Sequence, residues 1–426
     1  MSSAPTSAES HLSSEVCRRR SDCRLCLGAS LEPVLSLAPS PPANAFVTAS
    51  ALDREQPRFP LDVWMCADCA HVQLLDVIDP AVLFRDYVYA SGTSRAFIAH
   101  FERYASDVIE QFGVSPGDLV VDVGSNDGTL LRFFGDRGLR VVGIDPAEEI
   151  ARRSNASGIE TIPEFLTPAL ARDVRGRYGP ARAVTANNVF AHIDDLSSAT
   201  EAVRTLLAED GVFVFEVSYL LDIVQKTLFD TIYHEHLDYH SVQPLVPFFS
   251  RHGMEVIDAS RVDTHGGSVR VAVQLAEGPR SRSSRLDRLI EDERGHGLDR
   301  PETFRAFGDN INVLGQRLVA MLTKLRSEGF RIAGFGAPAK ATTLTHHFGI
   351  GPDVLDFIVD DSPLKQGLFT PGHHVPVVSS TALYEDRPDY VLVLAWNFAP
   401  HITSAHRRYA ELGGKFIIPL PHLELI

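Results

Sequence analysis

The chain has 426 residues, of which 44% are hydrophobic and 22% charged, and its formal net charge is −15. This is the composition of a soluble globular protein, and about 150 residues per domain predicts two or three domains. The acidic balance argues against a general nucleic-acid or membrane-surface binder. No apolar run reaches the roughly 18 residues that span a bilayer, and no apolar signal core begins the chain. We therefore expect a cytoplasmic protein and, by default, a monomer.

The chain divides into four stretches. Residues 1–16 are rich in Ser and Ala and predict a disordered tail. Residues 17–84 are rich in Pro and Cys, show little helical periodicity, and predict short strands and loops held by a metal. Residues 85–277 and 278–426 each alternate helix and strand patterns, and a polar stretch separates them. The predicted fold class is α/β, with two Rossmann-like units after a small metal-binding domain.

Two cysteine pairs dominate the N-terminal segment. Cys23 and Cys26 form one C-x-x-C pair, and Cys66 and Cys69 form the other. Two intervening residues let both sulfurs reach one tetrahedral ion, so the two pairs predict a closed, structural zinc site. A redox pair and chance buried thiols are the alternatives. Cys17 is left over.

The central stretch predicts buried parallel strands separated by helices. The first strand is followed by a glycine-containing turn, and the helix over 146–158 is expected to start at its proline. The predicted helices cover 97–112, 129–138 and 146–158, and the predicted strands cover 119–124, 140–145, 181–189 and 211–218.

The first of these strands runs into the turn G-S-N-D-G, with Asp122 and Gly124 at its end and Asn126 and Asp127 in the turn. Glycines there let the backbone approach a ligand closely. Asp145 ends the next strand, about 20 residues on, and is placed to bind ribose hydroxyls. A nicotinamide fold prefers G-x-G-x-x-G, so the pattern favours the adenosyl group of S-adenosylmethionine, with a nicotinamide cofactor as competitor. An ordinary tight turn is the plain alternative.

A cluster of ionisable residues, YHEHLDYH over 233–240, follows the last of these strands. Histidine suits proton abstraction beside a carbonyl, and loops at strand carboxyl ends bind ligands in open α/β sheets. A solvated polar loop and a second metal site are the alternatives.

Taken in order, these motifs resemble the nucleotide-sugar C-methyltransferases of antibiotic deoxysugar pathways. The resemblance runs from about residue 23 to the C-terminus. The motifs that carry it are the two cysteine pairs, YVYASGTS, VGSNDGTLL, NNVFAHI, DTIYHEHLDYHS, HGGSVR and GFGAPAKATTLTHHFGIGPD. The resemblance implies a zinc-binding domain, a central methyltransferase domain and a C-terminal Rossmann-like domain.

The family's usual substrate is a TDP-4-keto-2,6-dideoxyhexose, which is methylated at carbon 3. A base removes the proton next to the ketone, and the resulting enolate attacks the sulfonium methyl. The family motif places this base in Tyr-x-Glu-His. On that mapping, His236 is the expected base, Glu235 orients it, and Tyr233 hydrogen-bonds the enolate or the base.

Other expected site residues follow from the same resemblance. His192 matches a family active-site histidine, although a core histidine is the alternative. Asn187 and Asn188, in the same motif, are expected at the methyl donor. Tyr87 and Tyr89 lie where the family places an active-site tyrosine, and the choice between them stays open.

The last segment is expected to bind the nucleotide diphosphate. Gly334 and Gly336 form a glycine turn and Lys340 follows it, which suits a phosphate. A plain strand–helix turn is the alternative. The segment His265-Gly266-Gly267 has no assigned role.

The main alternative function is a bifunctional methyltransferase and ketoreductase that also uses NADPH. The GFGAPAK turn lacks a full dinucleotide fingerprint and a clear acid at the end of the following strand, which disfavours it. A zinc-ribbon adaptor that docks a partner is the alternative from another class, but it leaves the glycine turn at residue 124 unexplained.

Overall fold

The computed structural model describes residues 16–84, 95–264 and 266–426 and groups their strands into several sheets. Two of the expected site residues, Tyr87 and Tyr89, lie outside the described residues, as does His265. No helix within the described ranges is both long and apolar enough to span a membrane.

The N-terminal part contains short strands and one longer hairpin. The pair β2–β3 is antiparallel, β4 extends it, and β1 pairs separately with β5. A short helix, α1, ends the segment. The elements are β1 (Cys17–Arg19), β2 (Leu31–Ser40), β3 (Phe59–Cys66), β4 (Val72–Leu74), β5 (Asp76–Ile78) and α1 (Pro80–Phe84).

The central sheet has the order β12-β13-β10-β9-β6-β7-β8. Its strands are β6 (Leu119–Val123), β7 (Arg140–Ile144), β8 (Thr161–Ile162), β9 (Ala181–Asn187), β10 (Leu207–Ser218), β12 (Met254–Val262) and β13 (Ser268–Leu275). Its helices are α2 (Arg95–Phe112), α3 (Thr129–Gly135), α4 (Glu148–Ala156), α5 (Pro168–Tyr178), α6 (Leu196–Leu206), α7 (Leu220–Gln225) and α8 (Val242–Arg251).

The sequence predicted a parallel sheet, but this sheet is only partly parallel. Strands β10, β9, β6, β7 and β8 are parallel, but β13 runs antiparallel to β10, and β12 runs antiparallel to β13. A short connection joins β12 to β13, which permits only an antiparallel pair. The helix expected to start at Pro146 also starts two residues later, at Glu148.

One strand of the N-terminal sheet comes from the central part of the chain. Strand β11 (Asp238–Tyr239) pairs with β4, giving the order β11-β4-β3-β2. The ionisable segment 233–240 is therefore built into the N-terminal sheet at one end. This places the expected catalytic histidine at the boundary between two sheets.

The C-terminal sheet has the order β16-β15-β14-β17-β18-β19, parallel except for β19. Its strands are β14 (Ile332–Phe335), β15 (Ile358–Val359), β16 (Val377–Val378), β17 (Tyr390–Val393), β18 (Lys415–Ile418) and β19 (Glu424–Leu425). The helices from 284 onward are α9 (Ser284–Gly295), α10 (Pro301–Ser327), α11 (Ala339–Phe348), α12 (Ala382–Glu385), α13 (Ala399–Ala405) and α14 (Arg407–Glu411).

Alternating side chains of β10 anchor both faces of the central sheet. Phe213 and Phe215 pack with Phe190 and Phe249 on one face, with the Phe190 and Phe215 rings 4.8 Å apart. Val214 belongs to a separate core on the other face, under α2 and α3. Phe190 begins the 3-10 turn that carries His192, so this aromatic packing fixes one wall of the site.

Glu293, on α9, accepts hydrogen bonds from the first backbone N–H groups of α8. Its carboxylate accepts hydrogen bonds from the backbone N–H groups of Val242 (2.6 Å) and Gln243 (2.8 Å) and from the Tyr219 hydroxyl (2.9 Å). The side chain is buried, and burial raises its pKa. Helix α9 is thus tied to the central unit through a buried carboxylate.

Replacing Glu293 by Ala should destabilise the protein. The substitution leaves two helix N-terminal N–H groups and a tyrosine hydroxyl buried without an acceptor, at a cost of about 2–4 kcal/mol. Urea unfolding measures this cost. Glu291→Ala, at an exposed position of the same helix, is the matched control and should change the unfolding free energy by less than about 0.5 kcal/mol. Equal stability of the two variants would contradict the capping role.

Candidate active site

The four cysteines of the two C-x-x-C pairs meet at one point. Their sulfur atoms all lie within 4.8 Å of one another, with Cys23 and Cys69 3.6 Å apart and Cys26 and Cys66 3.5 Å apart. Sulfurs bound tetrahedrally to zinc at 2.3 Å are about 3.8 Å apart. The spacing fits a zinc ion held by four thiolates.

The two pairs have the same backbone geometry. Leu27 N–H donates to the Cys23 carbonyl (2.9 Å), and Ala70 N–H donates to the Cys66 carbonyl (2.8 Å). Leu27 and Ala70 follow the second cysteine of each pair, and both have positive φ. Each pair therefore forms the same tight turn, which points its two sulfurs to one side. This repetition is expected of two halves of a single metal site.

The glycine turn after β6 is built for close approach. Gly124 has φ +68°, and a Cβ there would lie 2.2 Å from a methyl carbon of Val189. Asn126 also has positive φ and donates its N–H to the Asp145 carboxylate (2.8 Å). Asp127 accepts from the Thr129 hydroxyl (2.6 Å) at the start of α3. The turn is fixed by its own hydrogen bonds.

Two carboxylates support this turn in different ways. Asp122 lies inside the sheet and accepts from the Thr185 hydroxyl (2.6 Å) on β9, and burial raises its pKa to about 7. Asp145 accepts from the backbone N–H groups of Asn126 and Ala147 (2.9 Å), one on each oxygen. Each oxygen of Asp145 keeps a second lone pair, which can accept a ribose hydroxyl.

The end of β9 completes this edge. Strand β6 lies between β7 and β9 in parallel register, so the three carboxyl ends meet. Asn188 has positive φ and donates its N–H to the Glu216 carbonyl (2.7 Å). The Asn187 side-chain amide is buried and interacts with the Tyr104 hydroxyl, at the edge where the methyl donor is expected.

Residues Tyr233 and His236 stand side by side at the ends of a turn. His236 N–H donates to the Tyr233 carbonyl (2.8 Å), and the two rings lie 4.1 Å apart. The Tyr233 hydroxyl lies 2.9 Å from His236 Nε2, and His236 Nδ1 lies 2.7 Å from the Thr231 carbonyl. A carbonyl only accepts, so Nδ1 carries the proton, and the lone pair of the neutral ring lies on Nε2. That lone pair is what a general base requires.

His192 is brought against His236. Leu237 N–H donates to the Ala191 carbonyl (2.8 Å). Leu237 follows His236 and Ala191 precedes His192, so this bond brings the two histidines together. The two imidazole rings are 4.9 Å apart and perpendicular. Desolvation, and to a smaller extent the neighbouring His236, hold the pKa of His192 well below its ordinary value. His192 is therefore neutral at neutral pH.

Glu235 does not orient His236 in the expected way. The carbonyl of Thr231, rather than the Glu235 carboxylate, accepts from Nδ1. Glu235 is buried and accepts a hydrogen bond from Asn44 Nδ2 (2.7 Å), in the N-terminal part of the chain. Glu235 and His236 therefore each have a hydrogen-bond partner outside the pair. Neither Asn44 nor Thr231 was identified from the sequence.

Lys340 lies beneath the same segment. Its ammonium group is 3.7 Å from the centre of the Trp396 ring, and the indole N–H of Trp396 donates to Asp230 (2.6 Å). Burial lowers the pKa of Lys340 to about 8, while the charge of Asp230 opposes this change. Asp230 is fully buried and directly precedes Thr231. The C-terminal unit thus contacts the segment that carries His236.

The C-terminal glycine turn resembles the one at residue 124 more than the sequence indicated. Gly336 has φ +84°, and a Cβ there would meet Ala395 at 2.5 Å. The expectation that no acid ends the following strand was wrong. Asp360 directly follows β15 and accepts from the backbone N–H groups of Ala337 (2.7 Å) and Ser362 (2.8 Å). The sequence predicted a strand over 354–361 that ends in two adjacent acids, and it did not single out the first of them, Asp360.

Comparison with known proteins agrees with this arrangement. Three family models match the chain in order: a zinc binding domain over 23–84, a methyltransferase domain over 97–259 and a C-methyltransferase C-terminal domain over 263–421. The fold and the site define a methyltransferase that depends on S-adenosylmethionine and carries a structural zinc module.

The C-methyltransferase NovU of Streptomyces niveus is 35% identical over 412 residues, which covers 97% of this chain and 98% of that protein. The chain therefore belongs to this family of C-methyltransferases. Among solved structures, magnesium protoporphyrin IX methyltransferase from Synechocystis is 15% identical, with a TM-score of 0.34, over 41% of this chain and 82% of that one. A methyltransferase from Anabaena variabilis has a TM-score of 0.35 at 15% identity, over 42% and 86%.

Replacing Cys66 by Ser should release the metal. One thiolate of a closed site is lost, and structural zinc contributes directly to folding. Elemental analysis of the purified protein should find about one zinc per wild-type chain and well under half of that in the variant. Cys17→Ser, which removes the cysteine outside the cluster, should keep full zinc content. Zinc loss in both variants, or in neither, would contradict the four-cysteine site.

Proposed function

We propose that the protein methylates a nucleotide-linked 4-keto-deoxyhexose at the carbon next to its ketone, with His236 as the base. The expected substrate is a TDP-4-keto-2,6-dideoxyhexose methylated at carbon 3, in deoxysugar biosynthesis. The observation that carries the proposal is the 2.7 Å contact of His236 Nδ1 with the Thr231 carbonyl. It holds the ring in the tautomer whose Nε2 accepts a proton.

The chemistry follows from these groups. In this structure the Tyr233 O–H donates to Nε2, and on substrate binding it would turn to the ketone oxygen and so release the Nε2 lone pair. Nε2 then takes the proton from carbon 3, and the electron pair of that C–H bond passes into the enolate, whose oxygen accepts from the tyrosine O–H. S-adenosylmethionine supplies the methyl group: the C–CH3 bond forms as the S–CH3 bond breaks. S-adenosylhomocysteine leaves as the product.

His192 and Glu235 complete the proposed site. His192 remains neutral because its pKa is depressed, so it can act as a hydrogen-bonding group but not as an acid at neutral pH. A neutral neighbour also adds no positive charge beside His236 when that ring takes up a proton. Glu235, held by Asn44, stays the residue expected to support the base. Tyr87 or Tyr89 stays the expected further tyrosine.

We propose separate sites for the two nucleotides. The methyl donor binds at the turn formed by Gly124, Asn126 and Asp127, with Asp145 on its ribose and Asp122, Asn187 and Asn188 beside it. The nucleotide diphosphate of the sugar binds at the turn formed by Gly334 and Gly336 at the start of α11, where Lys340 supplies positive charge. Asp360 is placed on that turn as Asp145 is on the first, which supports a bound ribose.

Asp360 also suits the ribose of a nicotinamide cofactor, so the bifunctional enzyme that uses NADPH stays the second candidate. The monomeric state likewise stays a prediction.

His236→Gln should abolish enolisation. In D2O, with S-adenosylhomocysteine in place of the methyl donor, the wild-type protein should exchange the carbon 3 proton of the keto-sugar nucleotide. The variant should exchange it about 10²–10⁴-fold more slowly, because it lacks the base. Mass spectrometry of the recovered sugar measures this rate. Unchanged affinity for S-adenosylhomocysteine shows that the variant is folded. Exchange at the wild-type rate would refute the base assignment.

Gly124→Ala should weaken binding of the methyl donor. The new Cβ meets Val189 at 2.2 Å, and φ +68° is strained for alanine. Calorimetry with S-adenosylhomocysteine should show an affinity at least about tenfold lower than that of the wild-type protein, which is a loss of at least about 1.4 kcal/mol. Gly135→Ala, at the end of α3 with space for a Cβ, is the control and should bind normally. Normal binding by Gly124→Ala would contradict the assignment.

A further inference from the structure

Arg24 is a buried arginine between the first two zinc-binding cysteines. Its side chain is 1% exposed. It donates to Gln73 Oε1 (3.1 Å) and to the Leu74 carbonyl, both on β4. Since β4 pairs with β11, the arginine is anchored directly beneath the strand that follows His236.

The guanidinium group also faces two carboxylates from distant parts of the chain. Arg24 Nε donates to Asp194 Oδ1 (3.0 Å) and lies 3.9 Å from Asp238 Oδ2. Asp238 is fully buried, and His71, which follows the second cysteine pair, contacts its other oxygen at 2.6 Å. Displacing the guanidinium group would leave the buried Asp238 carboxylate with His71 as its only neighbour of opposite potential charge among the ion pairs described, whereas Asp194 would keep Arg20 (3.1 Å) and Arg18.

The positions of these carboxylates connect Arg24 to the histidine pair. Asp194 lies two residues after His192, and Asp238 lies two residues after His236. One cation therefore binds the two segments at equal distances along the chain from the two histidines. The side chain of Arg24 belongs to neither segment.

The histidine pair depends on how these two segments are held together. Leu237 N–H donates to the Ala191 carbonyl, and His240 Nε2 lies 3.4 Å from the carbonyl of the residue before Ala191. Both contacts reach the first segment ahead of His192. Arg24 contacts that segment after His192, at Asp194, so the segment is held on both sides of the histidine. The perpendicular contact of His192 and His236 at 4.9 Å depends on the orientation of that segment.

We propose that Arg24 is a positioning residue that sets the geometry of the His192–His236 pair, and that the zinc module serves catalysis by holding Arg24 in place. The inference rests on the proposed role of His236 as base. Arg24 contacts Asp194 and Asp238, and it acts on the reaction through them. This positioning role predicts that the zinc module affects the proton-transfer step more than the binding of either nucleotide.

The test uses Arg24→Lys in the full-length protein. Lysine keeps the buried charge but has a single nitrogen, which cannot donate to Asp194 and to the two acceptors on β4 in the way the planar guanidinium group does. The expected result is normal zinc content, affinity for S-adenosylhomocysteine within about twofold of wild type, and carbon 3 proton exchange at least about tenfold slower, since small displacements of a base are costly. KM for the keto-sugar nucleotide should stay unchanged while kcat falls with the exchange rate.

A second measurement does not depend on turnover. Hydrogen–deuterium exchange of backbone amides, followed by mass spectrometry, should show lost protection in the variant at residues 190–194 and 235–239. Protection of the glycine turn near residue 124 should be unchanged. If the variant keeps wild-type protection at both segments and exchanges the sugar proton at the wild-type rate, the proposal is overturned.

Matched variants separate the proposal from general damage. Arg18 is exposed and pairs with the same Asp194 from outside, so Arg18→Gln should leave zinc content and exchange rate unchanged. Asp238→Asn keeps the shape of the buried contact and removes its charge at a position outside the cysteine pairs. It should slow sugar proton exchange with zinc retained, and wild-type exchange there would refute the inference even if Arg24→Lys loses zinc.

The outcome for the wild-type protein distinguishes this inference from the proposed function. If the wild-type chain does not exchange the carbon 3 proton, the proposed function fails. If it does exchange that proton and the Arg24 and Asp238 variants exchange it equally fast, only the positioning role of Arg24 fails.

Discussion

The candidate site depends on the two main-chain hydrogen bonds of Leu237. Its N–H donates to the Ala191 carbonyl (2.8 Å), and its carbonyl accepts from Leu74 N–H (2.9 Å). The first bond ties the residue after His236 to the central unit, and the second ties it to the N-terminal sheet. Because both partners are backbone groups in rigid elements, the position of His236 is set by two sheets together rather than by a loop.

The C-terminal unit contacts the same segment from a third direction. Thr343 donates its hydroxyl to the Ile232 carbonyl (2.7 Å), and Trp396 donates to Asp230 (2.6 Å). These contacts lie on either side of Thr231, whose carbonyl fixes the tautomer of His236. The geometry of the proposed catalytic site therefore depends on all three parts of the chain. The local hydrogen bond to Thr231 determines which nitrogen of His236 carries the proton, and packing between the units determines the direction in which the ring points.

Local sequence predicted the features that local chemistry determines. The cysteine pairs and the glycine turn at Gly124 each depend on residues close together in the chain, and their spacing was enough. The contacts between Glu235 and Asn44, and between Arg24 and Asp238, join residues roughly two hundred positions apart. No periodicity or motif encodes such a pairing, because it follows from how the sheets assemble. The partner of the Glu235 carboxylate, Asn44, was missed for this reason, and the orienting role of Glu235 stays a prediction.

The addition of β11 to the N-terminal sheet limits how the protein can be rearranged. Strand β4 finds its neighbour in a segment more than 160 residues later, so the zinc module has no complete sheet of its own. A hybrid that takes residues 17–84 from one relative and the rest from another would join two halves of one sheet that had not been selected together. A hybrid should therefore take the module together with β11, its distant strand.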